Sequence, residues 1–302
     1  MAQTEEKFDT DVAAQTGIGP TLMVAIEQKF SSEQRIIQDN LAVKILPGGY
    51  RFFVKPMQIP VLRNWMVKAS EKQVTGIWSG IMCRKRYIDD KVVSAVTGEN
   101  SVDAIVNLGA GYDTRAYRLP ALAPVPVWEV DQPVNIEAKQ AGLNKALGRM
   151  PAHVTLVPIN FMEEDLGTVL KANGYPGDRK TFFIWEAVSQ YLTETAVRQT
   201  FDFLAQAPAG SQLAFTYVLK DFVEGKNLYG LEKFYERMIV KDNAWHFGFA
   251  PEEVVYFLSE YGWRLVEDLS YHELGERYMK PTGRDLPAMT IERMVYAEKP
   301  YR

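Results

Sequence analysis

The stretch Ala104-Ile105-Val106-Asn107-Leu108-Gly109-Ala110-Gly111-Tyr112-Asp113-Thr114-Arg115 decides the fold. Its first five residues, apolar and β-branched, read as a buried strand, and the glycines behind them end it. Gly109 and Gly111 let the backbone turn sharply and approach a ligand closely. The same grammar recurs downstream. Short β-branched or aromatic runs at 125–130, 154–157, 182–185 and 213–217 are separated by amphipathic stretches at 133–148, 163–173 and 194–207. Strands alternating with helices of this length predict parallel crossover units, whose fixed hand gives a doubly wound α/β sheet. A helical insertion near 221–250, a helix at 251–261 and two last strands, 263–268 and 291–297, follow. If those two close as an antiparallel hairpin, the sheet has seven strands and is mostly parallel.

Upstream of residue 101 the periodicity is helical. Leu22, Ile26 and Phe30 form one series; Ile36, Ile37, Leu41 and Ile45 a second; Val61, Leu62, Trp65 and Met66 a third. Breakers at 17–20 and 47–49 separate them. This predicts an N-terminal helical cap over 1–100 ahead of an α/β domain over 101–302. The cap has 13 basic and 11 acidic residues, so it is not a basic arm.

Composition narrows the function. The 302 residues are 47% hydrophobic and 24% charged, an ordinary globular balance. One cysteine, Cys83, excludes an intrachain disulfide framework and a cysteine-built zinc site, and three histidines leave little for a histidine-rich one. No metal is expected. The net charge of −4 gives no basic field for nucleic acid or an anionic membrane, so neither is expected as a partner. The opening MAQTEEKFDT lacks the apolar core of a secretory signal, and no apolar run reaches the length of a membrane span. The expected location is cytoplasmic; oligomeric state is left open.

The glycine turn gains meaning from the next strand. Glu129 and Asp131 lie 20 and 22 residues past Gly109, a spacing at which a carboxylate reaches the two hydroxyls of a ribose. Asp131, nearer the strand tip, is favoured. A dinucleotide turn wants a third glycine at 114 and a helix start free for pyrophosphate. Here position 114 is Thr, and the Asp113 carboxylate would repel phosphate. An acid there suits the ammonium of a sulfonium-bearing amino acid instead, which favours S-adenosylmethionine over a nicotinamide dinucleotide.

Four motifs in order resemble the leucine carboxyl methyltransferase family: Arg84-Lys85-Arg86-Tyr87-Ile88-Asp89-Asp90, the run from Gly109 to Leu119, Glu129-Val130-Asp131-Gln132-Pro133, and Ile184-Trp185-Glu186-Ala187-Val188-Ser189-Gln190-Tyr191-Leu192. The resemblance spans about 16–270. It implies a Rossmann-like class I methyltransferase sheet with a helical cap, binding S-adenosyl-L-methionine and methylating an oxygen of a small molecule, a secondary metabolite of polyketide type among the options. By the same resemblance Arg84 would bind the methionyl carboxylate with Arg86 as its neighbour. Gly109, Ala110 and Gly111 would line the methionyl and ribose side, Asp131 with Gln132 would take the ribose, and Glu186 would face the amino group. Asp113 and Arg115 would bind the cofactor or pair with each other to hold the loop. Asn160-Phe161 stands where the family often has an acid for the adenine amine, and Glu186-Ala187 where it frequently has Glu-Gly. His246, ahead of the helix start at 251, is the candidate base. A protein C-terminal carboxylate is the alternative acceptor; a nicotinamide oxidoreductase or a non-catalytic cofactor-binding protein are the alternatives in kind.

Overall fold

A computed structural model describes residues 17–161 and 163–301; the reading of the first ten residues lies outside them. Ahead of the sheet come α1 (Ile18–Glu27), α2 (Ala42–Ile45), α3 (Gly48–Val54), α4 (Pro60–Gln73) and α5 (Ile77–Thr97). The alternating part runs β1 (Ala104–Leu108), α6 (Arg115–Arg118), β2 (Val127–Asp131), α7 (Pro133–Leu147), β3 (Val154–Pro158), α8 (Leu166–Ala172), β4 (Thr181–Trp185), α9 (Glu194–Ala205) and β5 (Gln212–Val218). Then follow α10 (Lys220–Val223), α11 (Glu232–Tyr235), α12 (Pro251–Glu260), β6 (Arg264–Ser270), α13 (Tyr271–Leu274) and β7 (Glu292–Glu298).

The seven strands lie in the order β3-β2-β1-β4-β5-β7-β6. The first five are parallel to their neighbours, and β7 runs antiparallel between β5 and β6. The fold class expected from the alternation is therefore the one observed. Strand order reverses between β1 and β4, and the crevice outside the carboxyl ends of the strands at such a switch is where doubly wound sheets bind ligands.

Alternation along each strand feeds two cores. Ile105, Val127, Phe182, Ile184 and Ala214 face one side and share a core with Val24, Trp78, Tyr87 and Val92 of the leading helices. Val106, Trp128, Phe183, Trp185 and Phe215 face the other side, under Phe201 of α9 and Phe257 of α12. Covering on both faces explains why the strands read as continuous apolar runs.

Two elements differ from the periodicity. The helix expected from Ile36 to Ile45 is confined to Ala42–Ile45. Side chains claim the backbone before it: Ile36 N–H donates to Glu27, while Leu41 and Ala42 N–H donate to Asp39 Oδ1. An aspartate that takes two amides this way makes a turn in place of a helical one. The stretch from 163 becomes helical only at Leu166, where Asp165 caps α8 by accepting from Thr168 N–H at 2.7 Å. Glu27, wholly buried, ties the leading helices to each other and to the segment before β7: it also accepts from Trp78 Nε1 at 2.8 Å and from Arg284 at 2.7 Å.

Candidate active site

The glycine turn first extends the sheet and then leaves it. Gly109 and Ala110 N–H both donate to Val130 O, at 2.8 and 3.0 Å, continuing the β1–β2 ladder past its end. Gly109 then takes φ +69°, and a Cβ there would lie 2.3 Å from Val188 Cγ2, so only glycine satisfies both the dihedral and the space. Gly111 takes φ +40°, and a Cβ there would meet nothing nearer than Asp131 Oδ2 at 4.0 Å. That side of the turn is a small open cradle against the β2 carboxylate.

Asp131 is held by three donors. Gly111 N–H reaches Oδ2 at 2.5 Å, and Gln132 N–H and the Asn135 amide reach Oδ1 at 2.7 Å each. Two carboxylate oxygens have about four acceptor sites, so capacity remains for a diol. Glu129, one strand pleat earlier, is enclosed: Lys139 Nζ lies 2.7 Å from Oε2, and the Tyr117 hydroxyl donates to the same oxygen at 2.6 Å. Burial, opposed by Lys139, raises the pKa of Glu129. Of the two acids the spacing offered, Asp131 is the one at the crevice.

A buried ionic cluster fills the floor between α5 and the turn. Arg84 donates from Nε to Glu186 at 2.9 Å and from Nη1 to Glu292, on β7, at 3.0 Å. Lys85 Nζ lies 3.2 Å from Glu186. Arg115 pairs with Asp113, with Glu186 at 2.8 Å and with Asp89 at 2.8 Å. Arg118 closes on Asp89 through two nitrogens, at 2.8 Å each. Burial opposes the charge of Glu186, yet Lys85, Arg115 and Arg84 outweigh it and hold its carboxyl well below the usual range. Asp113 behaves alike: burial raises its pKa, and Arg115, Lys85 and Lys139 bring it far lower. Asp113 and Glu186 stay ionised because each has partners of opposite sign.

Placement of the remaining candidates is uneven. Asn160 and Phe161 follow β3, beside Asp131, whose carbonyl accepts from Ile159 N–H at 2.9 Å. Asn160 N–H in turn donates to Glu164 at 2.8 Å, which sets a carboxylate beside a position that lacks one of its own. His246 is on the same edge of the sheet, its backbone N–H donating to Gln190 O at 2.7 Å, four residues beyond Glu186. Arg86 is not brought to the cluster: it is exposed and pairs with Asp90 at 2.9 Å. Residues two apart on a helix do not share a face, and Lys85 takes the place expected for it. Cys83 is fully buried and its thiol is pushed up to about 12, chiefly by burial and then by Glu27, so it is inert. Ala187 sits at φ +57°, the left-handed region, its N–H donating to Thr216 Oγ1 at 2.8 Å. A glycine at this position would adopt the same backbone at no steric cost. Lys85, Asp89 and Glu292 were not singled out in the sequence. Only the first two had a local signal, their place in the Arg84–Asp90 motif.

Strand order, the glycine turn at the β1/β4 switch and the acid at the β2 tip define a class I methyltransferase fold. A Streptomyces avermitilis structure described as a DUF574 family protein shares that fold at a TM-score of 0.55, 16% identity, and coverage of 79% of this chain and 91% of that one. The family model for leucine carboxyl methyltransferase matches residues 17–205, and the chain belongs to that family. A Mycobacterium avium protein named for S-adenosyl-L-methionine-dependent methyltransferase activity is 29% identical over 295 residues, 95% of this chain and 94% of its own. One of the same name from Mycolicibacterium vanbaalenii is 30% identical over 224 residues, 72% of this chain and 71% of its own. Membership makes the chain a methyltransferase and removes the nicotinamide reading.

Proposed function

We propose that this methyltransferase moves a methyl group from S-adenosyl-L-methionine to an oxygen of a small molecule, beneath a cap formed by the helices ahead of residue 101. The observation that carries the reading is the cradle at Gly111, open toward a carboxylate that three donors hold in place. The cofactor supplies a methyl group on a positively charged sulfur, ready for in-line displacement. The chain's residues bind and orient. Asp131 accepts from the ribose hydroxyls, with Gln132 beside it at the start of α7. Asn160, with Glu164 behind it, accepts from the adenine amine, and Phe161 supplies apolar surface. Glu186, ionised by its neighbours, faces the ammonium, while Lys85 and Arg84 present cations to the carboxylate. Asp113 and Arg115, spent on each other and on the cluster, hold the loop.

Alignment is the main catalytic device here, since well-oriented reactants gain about 7–11 kcal/mol. A carboxylate acceptor is already ionised at neutral pH and needs no base, whereas a phenol, with pKa ~10, does. For a hydroxyl acceptor His246 is the residue offered as base. Calorimetry with S-adenosylhomocysteine, followed by labelled methyl transfer to a panel of phenols, carboxylic acids and a leucine-ended peptide, tests the reading. Binding with turnover on a phenol or small acid supports it. Turnover on the peptide alone assigns a protein carboxylate, and binding with no turnover on any acceptor leaves only a cofactor-binding protein.

A further inference from the structure

Between Leu41 and Gln73 the chain has six basic residues and a single acid. The acid, Glu71, is turned inward and accepts from Gly76 and Trp78 N–H. Of the bases, Arg63 is buried against the carbonyl of Lys29, and Arg51 is half-buried and donates to Leu46 O. Lys44, Lys55, Lys68 and Lys72 are exposed and have no ion-pair partner among the described residues. Interleaved with them are large apolar side chains in water: Phe52 at 79% exposure, Phe53, Ile59, Val61 at 75%, Leu62 and Trp65 at 64%. On α4 the spacing of Val61, Trp65, Lys68 and Lys72 sets them along one outer stripe, while Arg63 and Val67 turn to the core.

We propose that this face, the outer side of α3 and α4 with the turn between them, docks on an anionic lipid surface. Apolar patches of this kind mark interaction sites. Aromatic and aliphatic side chains alternating with lysines suit the boundary between headgroups and acyl chains, where lysine stems lie along the apolar layer and their ammonium groups meet lipid phosphate. The charge pattern chooses among occupants. In a two-fold dimer the patch would meet itself and set like charges opposite each other. An anionic bilayer complements every lysine and buries every exposed ring. No helix among the described residues is long and apolar enough to cross a membrane, so the contact is peripheral. The expectation of no membrane partner rests on the overall charge of −4, which averages this local excess away.

The full-length protein carries its own reporter. Trp65 is the exposed tryptophan, while Trp78, Trp128, Trp185, Trp245 and Trp263 are at most 6% exposed. Titration with phosphatidylcholine vesicles, with and without phosphatidylserine, should blue-shift tryptophan emission only with the anionic vesicles, and Trp65→Phe should abolish the shift. Flotation should show partition favouring the anionic vesicles by tenfold or more, on the order expected for several lysines at a charged surface, and lost at high salt. Phe52→Ser with Phe53→Ser should reduce partition about tenfold or more through lost apolar burial. Lys55→Glu, Lys68→Glu and Lys72→Glu together should abolish the lipid preference. All these side chains are exposed, so unchanged melting and unchanged S-adenosylhomocysteine affinity will verify the fold, and failure of that ligand to bind would count against the cofactor reading alone. Equal partition to both vesicle types, no partition to either, or a dimer that the phenylalanine variants disperse would overturn the proposal.

Discussion

Asp131→Asn preserves the size of the side chain and removes its charge. The wild-type carboxylate accepts Gln132 N–H and the Asn135 amide on one oxygen and Gly111 N–H on the other. An asparagine oriented to keep the first pair turns its NH2 group toward Gly111 N–H, donor against donor. One enclosed amide is then stranded, at a cost of about 1–3 kcal/mol. For a protein of this size that lowers Tm by roughly 2–4 °C per kcal/mol. Ligand binding loses more than this turn. On the proposed placement of the cofactor, two ribose hydroxyls that would meet a charged acceptor in the wild type would meet a neutral one, a loss of ~1 kcal/mol for each bond. Together they raise the Kd for S-adenosylhomocysteine about 30-fold. Titration calorimetry well below the variant's Tm reads the affinity, and scanning calorimetry reads the stability. A lowered Tm with unchanged affinity would refute the reasoning, because Asp131 would then brace the turn without touching the ribose.

Three further outcomes follow from the same geometry. Ala187→Gly relieves a left-handed alanine worth ~1–2 kcal/mol and adds ~0.5–1 kcal/mol of chain entropy, so a small net rise in Tm is expected; a fall would mean that the methyl group packs usefully. Lys139→Met leaves the Glu129 carboxylate buried without its cation and should cost about 3–5 kcal/mol in urea unfolding, most of it recovered on adding Glu129→Leu; a single-variant cost below ~1 kcal/mol would show that water reaches the pair. The third concerns acid. Asp113 and Glu186 have folded pKa values below their unfolded ones, so their contribution is complete above the usual carboxylate range near pH ~4. It is lost as pH falls through the folded values, because the unfolded chain takes up protons first. Glu129, raised by burial, works against this trend. Unfolding free energy should drop between pH 6 and pH ~3, and Glu186→Gln should flatten the slope; a stability that climbs toward acid would contradict the cluster's charge assignment.

What could be read from the sequence was local. The run from Ala104 to Arg115 and the acid at the tip of the next strand are contiguous signals, each visible within a few residues, and they fix both the sheet and the crevice. The ionic cluster was legible only in part. Glu292 meets Arg84 across 208 positions, and no spacing rule connects residues that only the insertion of β7 brings together. Arg86 misled for a related reason: in linear notation it neighbours Arg84, while on a helix it faces water. The segment from Ile36 to Leu41 has helical periodicity, but Glu27 and Asp39 capture its amides, a competition that no count of apolar residues detects. The lysine-and-aromatic face was hidden by averaging, since thirteen bases against eleven acids say nothing about which of them reach solvent.

β7, the last strand among the described residues, is an interior one, and it delivers Glu292 to Arg84. The segment that matches the family ends at residue 205, long before it. A fragment trimmed to that match would keep the glycine turn and its aspartate yet lack β5 as well, leaving a guanidinium without half of its counter-charge and the edge of β4 bare. Completion of the site therefore waits for β7, so during synthesis the pocket is finished only once the chain through Glu298 has left the ribosome.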